Sequence, residues 1–245
     1  MSNIVNLSCF GKGIRACYTT RHGGFSQKPY ASFNLGLHVG DNAVAVNKNR
    51  DRLKQLLSLD HICYMDQVHG SDVVYVKDDA TLFKADALVT DKKDLGLAVM
   101  TADCLPVLLA CDSGSCVAAV HCGWRSTMSG IISKTFLRMR DLGCIKATAF
   151  MGPCIGAKSF EVGSEVKEAF LQQNQDYAKF FVLNDRGRYM CSLASICKSE
   201  LKSLGIDNIH MAAIDTYTHT DDFFSYRKES TTGRMASVIA IKSVK

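Results

Sequence analysis

What this sequence lacks narrows its function before any motif is read. Its eleven cysteines include no Cys-x-x-Cys pair, and none of its seven histidines forms His-x-His. The first absence argues against a zinc knuckle, which needs closely spaced cysteine pairs. The second argues against a multicopper centre, which needs about ten histidines, mostly paired, to hold several ions close together. No apolar run approaches the roughly 18 residues of a membrane span, so no membrane partner is expected. No five basic residues run together and there is one Trp, so the net charge of +5 gives no case for nucleic acid. The opening stretch MSNIVNLSCFGKGIR has no basic start followed by an apolar core. With an odd number of cysteines, that predicts reduced thiols in a cytoplasmic chain and no disulfide framework.

The 245 residues are 47% hydrophobic, enough for one large domain, and neither a linker nor a repeat divides them. The organising stretch is Gly96–Arg125, GLAVMTADCLPVLLACDSGSCVAAVHCGWR. Its apolar runs, Gly96–Thr101, Leu105–Ala110 and Val117–Val120, read as buried strands. Further strands are predicted at 14–20, 73–76, 86–90, 146–151, 209–214 and 236–241. Helices are predicted at 45–57, 126–142, 163–172 and 193–204. In the first of these, Leu53, Leu56 and Leu57 would face inward and Arg50, Arg52 and Lys54 outward. Residues 173–185 read as irregular. Few helices precede residue 126 and no Gly-x-Gly-x-x-Gly follows a strand, which excludes plain Rossmann and TIM patterns. The expectation is a single α/β (α+β) domain over residues 1–245, a mixed, sandwich-like sheet core with helices outside.

Asp103 and Cys104 fall where one predicted strand gives way to the next, and His121 where a third ends. Cys104 and His121 could form a thiolate–imidazole pair, with Asp103 or another carboxylate orienting the His. Alternatively, His69, Cys104 and His121 make a proper zinc set with a fourth position open. Spacing alone leaves both alternatives standing. Arg21, Arg125 and Arg227 lie in Gly-, Ser- or aromatic-flanked segments and are candidates for phosphate or carboxylate. Phe223, Phe224 and Tyr226 could stack on a planar base.

Taken in order, TTRHGGFS, SFNLGLHVGD, DQVHG, ADALVT, LAVMTADCLPVLL, VAAVHCGWR, MGPCIG, FEVG and FFSYRKESTTGRMA resemble the YfiH-like family, also labelled polyphenol oxidase or laccase domain. The resemblance spans residues ~14 to ~242. It implies a sandwich-like α/β fold with outer helices, related to toxin deamidases that use a Cys-His pair. It implies zinc on His69, Cys104 and His121, with copper less favoured. The implied activity is phosphorolysis of adenosine, inosine and S-methyl-5′-thioadenosine, with adenosine deamination alongside. Its partners would be a purine nucleoside and phosphate, acting on a monomer or homodimer. Asp103 is then the expected proton-transfer group. The loops of Arg21, Asn34, Arg125, Tyr226 and Arg227 are expected to bind phosphate and sugar. Five positions depart from the family pattern: Cys122, Ser126, Asp215, Thr216 and Lys228. Cys122 would add a thiol beside the site.

Overall fold

Runs of apolar residues without polar alternation require a strand buried on both faces, and the computed structural model, which describes residues 3–78 and 82–243, has this arrangement. Two six-stranded mixed sheets lie face to face. The first runs, in spatial order, Ile4–Asn6, Ile14–Thr19, Met235–Ile241, Leu95–Thr101, His61–Asp66, Leu82–Lys84. The second runs Asn208–Met211, Ala147–Met151, Leu105–Cys111, Val117–Cys122, Ala87–Thr90, Val73–Tyr75. Leu97, Val99 and Ile239 of one sheet meet Leu88, Leu108, Ala119 and Phe150 of the other in the central core.

The alternate residues of these strands point outward, where helices cover them. On the first sheet, Ala98, Met100 and Val238 pack under Leu53 and Leu57 of the helix Ala43–Leu56 and its cap. On the second, Val89, Val107, Leu109 and Val120 pack under Ile131–Asp141, Ser164–Gln173 and Leu193–Ser203. The result is a four-layer helix–sheet–sheet–helix stack, the expected sandwich-like α/β core with outer helices.

Several local expectations need correction. In Ala43–Leu56, Leu56 is exposed, and Val46 and Asn49 complete the buried face. Arg50 turns inward, donating from Nε to the Leu35 carbonyl and stacking 3.8 Å over the Tyr64 ring. The helix predicted over 126–142 is two helices, Trp124–Met128 and Ile131–Asp141. Gly130, at φ 75°, breaks them, a left-handed conformation that glycine takes without strain. Residues 173–185 are ordered as a 3-10 turn, Gln175–Phe180, and a strand, Phe181–Leu183, in a small third sheet with Glu161–Val162 and Tyr189–Cys191.

Candidate metal centre

The chain crosses from the first sheet to the second through Ala102-Asp103-Cys104, so Cys104 stands at one end of the sandwich. Asp103 takes φ 89° in this crossing, a region Asp enters more readily than most residues. Val117–Cys122 pairs antiparallel with Leu105–Cys111, placing His121 opposite Pro106, beside Cys104. His69 comes from the loop after His61–Asp66. The ligating atoms of His69, Cys104 and His121 all lie within 4.8 Å of one another. The two imidazoles meet edge to face, with centroids 4.8 Å apart.

Asp86 assembles the trio. It is fully buried at the head of the strand Ala87–Thr90. Its carboxylate accepts the backbone N–H groups of Val68, His69 and Gly70 at 3.3, 3.0 and 2.7 Å. The positive φ of His69, 58°, lets three consecutive amides converge on one anion. Asp86 Oδ1 also lies 2.8 Å from His121 Nδ1. Burial pushes the Asp86 carboxyl up, but these hydrogen bonds and His121 prevail and hold it below its usual range. An ionised carboxylate can only accept, so His121 donates Nδ1–H and presents Nε2 toward Cys104.

The charges follow from the same contacts. Burial lowers the His121 pKa, but the facing Cys104 and Asp86 outweigh it and raise the group to about 9. Partial desolvation and the neighbouring His121 push the His69 pKa down, although the residue is exposed overall. Zinc would be held here by the imidazole of His69, the Cys104 sulfur and His121 Nε2 once its proton has been displaced, a donor set of two His and one Cys that suits the ion. Gly123 leaves room for it: a Cβ there would lie 2.7 Å from His69 Nδ1 and 3.4 Å from Cys104 Sγ.

A cavity of about 420 Å³ opens over the trio, walled by His38, Gln67, Met100, Thr101, Tyr226 and Arg234. Gln67 closes one side by bonding both backbone groups of Met100 at 2.8 Å, as a strand neighbour would. A smaller apolar hollow of about 140 Å³ adjoins it through Ala102, Cys104 and Tyr226, and is lined by Trp124, Ile155, Phe160 and Leu193.

Of the residues expected to bind substrate, Tyr226 borders both cavities and Arg227 borders the smaller. Arg227 Nη1 donates to the Glu161 carbonyl at 3.0 Å. Arg125 is exposed, stacked 4.2 Å over Trp124, close enough to help depress His69. Arg21 and Asn34 are not at the cavity. Arg21 donates to the carbonyls of Ala31 and Thr220 and pairs with Glu229 at 2.9 Å. Asn34 is fully buried, bonded to Gly36, Asp41 and the Arg234 backbone. Both hold the loops that frame the site, because their polar atoms have internal partners.

Asp103 also differs from expectation. Its oxygens accept the Thr216 hydroxyl at 2.7 Å and the Arg227 backbone N–H at 2.6 Å, which anchors the short helix Tyr226–Glu229. Cys122 is likewise not at the centre. Strand alternation sends it to the opposite face, against Cys197. The sequence reading missed Asp86, His38 and Arg234. All three lie in segments already notable for polar residues beside apolar strands, and a lone Asp at the head of the buried run ALVT was the available signal.

The sequence model described as multi-copper polyphenol oxidoreductase laccase matches residues 15–242. The chain is 40% identical over 230 residues to a Shigella flexneri protein named purine nucleoside phosphorylase YfiH, covering 93% of this chain and 94% of that one. It is 39% identical over 227 residues to the Pseudomonas aeruginosa purine nucleoside phosphorylase PA4543, covering 92% and 93%. The crystal structure of Neisseria meningitidis protein NMB0706 superposes with a TM-score of 0.93 at 36% identity, over 99% of this chain and all of that one.

Proposed function

Since this chain belongs to the YfiH family, whose sequence model is described as multi-copper polyphenol oxidoreductase laccase, we propose that it is a purine nucleoside phosphorylase with one zinc on His69, Cys104 and His121. The observation that carries the reading is the trio itself, braced by Asp86 at the base of a polar cavity. Copper-dependent phenol oxidation is less well supported. Of the seven histidines, only His69 and His121 join a cluster that could hold a metal, among the described residues.

In phosphorolysis a phosphate oxygen attacks ribose C1′ as the purine departs, through an oxocarbenium-like transition state. Catalysis therefore rests on placing and neutralising phosphate beside the sugar. Zinc at the trio supplies Lewis acidity toward phosphate or water. Arg234 faces the cavity with its guanidinium partly desolvated and supplies positive charge for phosphate, while His38, whose pKa burial and the charge of Arg234 push down, offers a neutral imidazole beside it. Tyr226 separates this polar space from the apolar hollow, which accommodates the flat base or a 5′-methylthio group. Adenosine, inosine and S-methyl-5′-thioadenosine are the substrates this shape supports. Adenosine deamination would instead add water at C6 of the base, with the 6-amino group leaving as ammonia. Asp103 acts by holding Tyr226 and Arg227 in place.

The test is product chromatography with adenosine, with and without phosphate. Adenine and ribose 1-phosphate should form only with phosphate, while inosine should form in either case. Cys104→Ala should lose more than about 100-fold in both reactions, since the centre is shared. Phosphate-independent release of base would exclude phosphorolysis. One contact favours a second reading: His121 hydrogen-bonds Cys104 and Asp86 in the order of a thiol–imidazole–carboxylate triad. A metal-free Cys-His hydrolase acting on amides or cell-wall precursors would keep its activity in chelator, whereas the phosphorylase would not.

A further inference from the structure

The hairpin that carries Cys104 and His121 at one end carries a second sulfur cluster at the other. Cys111 ends one strand, Cys116 precedes the next, and Cys144 follows the helix Ile131–Asp141. Their Sγ atoms all lie within 4.8 Å of one another, and all three residues are buried. The strand Leu105–Cys111 spans seven residues, so this cluster stands roughly 20 Å from the proposed reaction centre. We propose that Cys111, Cys116 and Cys144 form a second metal site, which takes one soft d10 cation, Zn(II) or Cu(I), on three thiolates.

A buried cysteine is ordinarily a small hydrophobe with a weakly used thiol. Cys17 behaves that way, and burial drives its pKa up to about 12. The trio differs in its neighbours. Cys111 Sγ lies 3.1 Å from the Ser113 hydroxyl, which bonds on to Ser115 at 3.1 Å. The three sulfurs thus lie close enough to share one ion, with the tip hydroxyls of Ser113 and Ser115 beside them.

Binding also leaves no buried carbonyl without a partner. The Cys116 and Cys144 thiols now point at the carbonyls of Met139 and Lys146. When a cation takes the sulfurs, those thiol protons leave to solvent along with whatever remains on Cys111. Met139 keeps the N–H groups of Leu142 and Cys144, and Lys146 keeps that of Asp112. Asp112, Ser113 and Ser115 at the hairpin tip are exposed, which gives an ion a short route in. Three sulfurs suit trigonal Cu(I); a tip hydroxyl or water completes a tetrahedral Zn(II).

Equilibrium dialysis of the full, reduced chain under anaerobic conditions, with Zn(II) and with Cu(I) separately, tests this. At least one ion should bind to two equivalents in the parent, and to one each in Cys104→Ala and Cys144→Ser. X-ray absorption on metal-loaded Cys104→Ala gives a check that leaves the trio intact. It should show about three sulfurs near 2.3 Å for zinc. Two equivalents retained in Cys144→Ser, a nitrogen-rich shell in Cys104→Ala, or no ion bound by Cys104→Ala would each overturn the site. Binding of one ion and not the other supports it and identifies the cation.

Discussion

Asp86 does three things with one carboxylate: it closes the His69 loop, fixes the His121 tautomer and supplies the negative charge behind a cationic centre. Asp86→Asn preserves the shape but cannot accept from every donor, because its amide nitrogen brings hydrogens of its own. Metal affinity should fall about 10–100-fold, measured by competition with a chromophoric chelator. Gly123 tests the same centre by volume. A methyl at Gly123 would meet the His69 ring at 2.7 Å, and His69 is exposed enough to swing away. Gly123→Ala should therefore lower metal affinity by about tenfold or more while leaving the unfolding midpoint nearly unchanged. A large fall in the midpoint would mean that the ring is held more tightly than its exposure implies.

At the scale of elements, the sheets were the most legible part of the sequence. Strands buried on both faces write themselves as unbroken apolar runs, as in LGLAVMT and LPVLLAC. His61–Asp66 and the short edge strands such as Leu82–Lys84 are of mixed polarity and carry no such mark. The ligand trio could be picked out because each member ends or begins an apolar segment. Asp86 carried only a faint mark, a lone Asp ahead of ALVT, since its role exists only when residues 68–70 and 121 converge in space. Arginine and asparagine in Gly-rich loops misled for a related reason. Arg21 and Asn34 are polar because loops need internal hydrogen bonds as much as substrates do. Asp103 gives the sharpest test of that distinction, because its carboxylate anchors the helix that carries Tyr226. Asp103→Asn weakens a charge-assisted bond, and should raise the nucleoside KM about tenfold with little change in kcat. The pH dependence of kcat should not move; a displaced limb would make Asp103 a proton-transfer group.

Across the whole molecule, the four layers place most charge outside, and among the described residues no helix is long and apolar enough to cross a membrane. One carboxylate is caught between two helices of the outer layer. Glu200, on the helix Leu193–Ser203, faces the start of Ile131–Asp141 and accepts the Ser133 backbone N–H at 3.3 Å. Burial raises its pKa from 4.5 to about 7, against the lowering effect of that hydrogen bond. Below pH 4.5 the group is protonated in both the folded and unfolded chain and contributes no pH dependence. Between pH 4.5 and 7 the folded state holds a proton that the unfolded state has released, so stability falls as pH rises. Above about 7 the fold carries the full cost of a buried anion, roughly 2–3 kcal/mol for a shift of this size with partial solvent screening. Glu200→Gln removes the titration while keeping the shape and an acceptor for Ser133. In urea denaturation at pH 5 and pH 8, the parent should lose more stability across the interval than the variant, and the variant should be the more stable at pH 8. Comparison between the two chains cancels the contribution of His121, which titrates in both. Equal pH dependence in parent and variant would show that Glu200 reaches water in the fold and that the helix layer opens there.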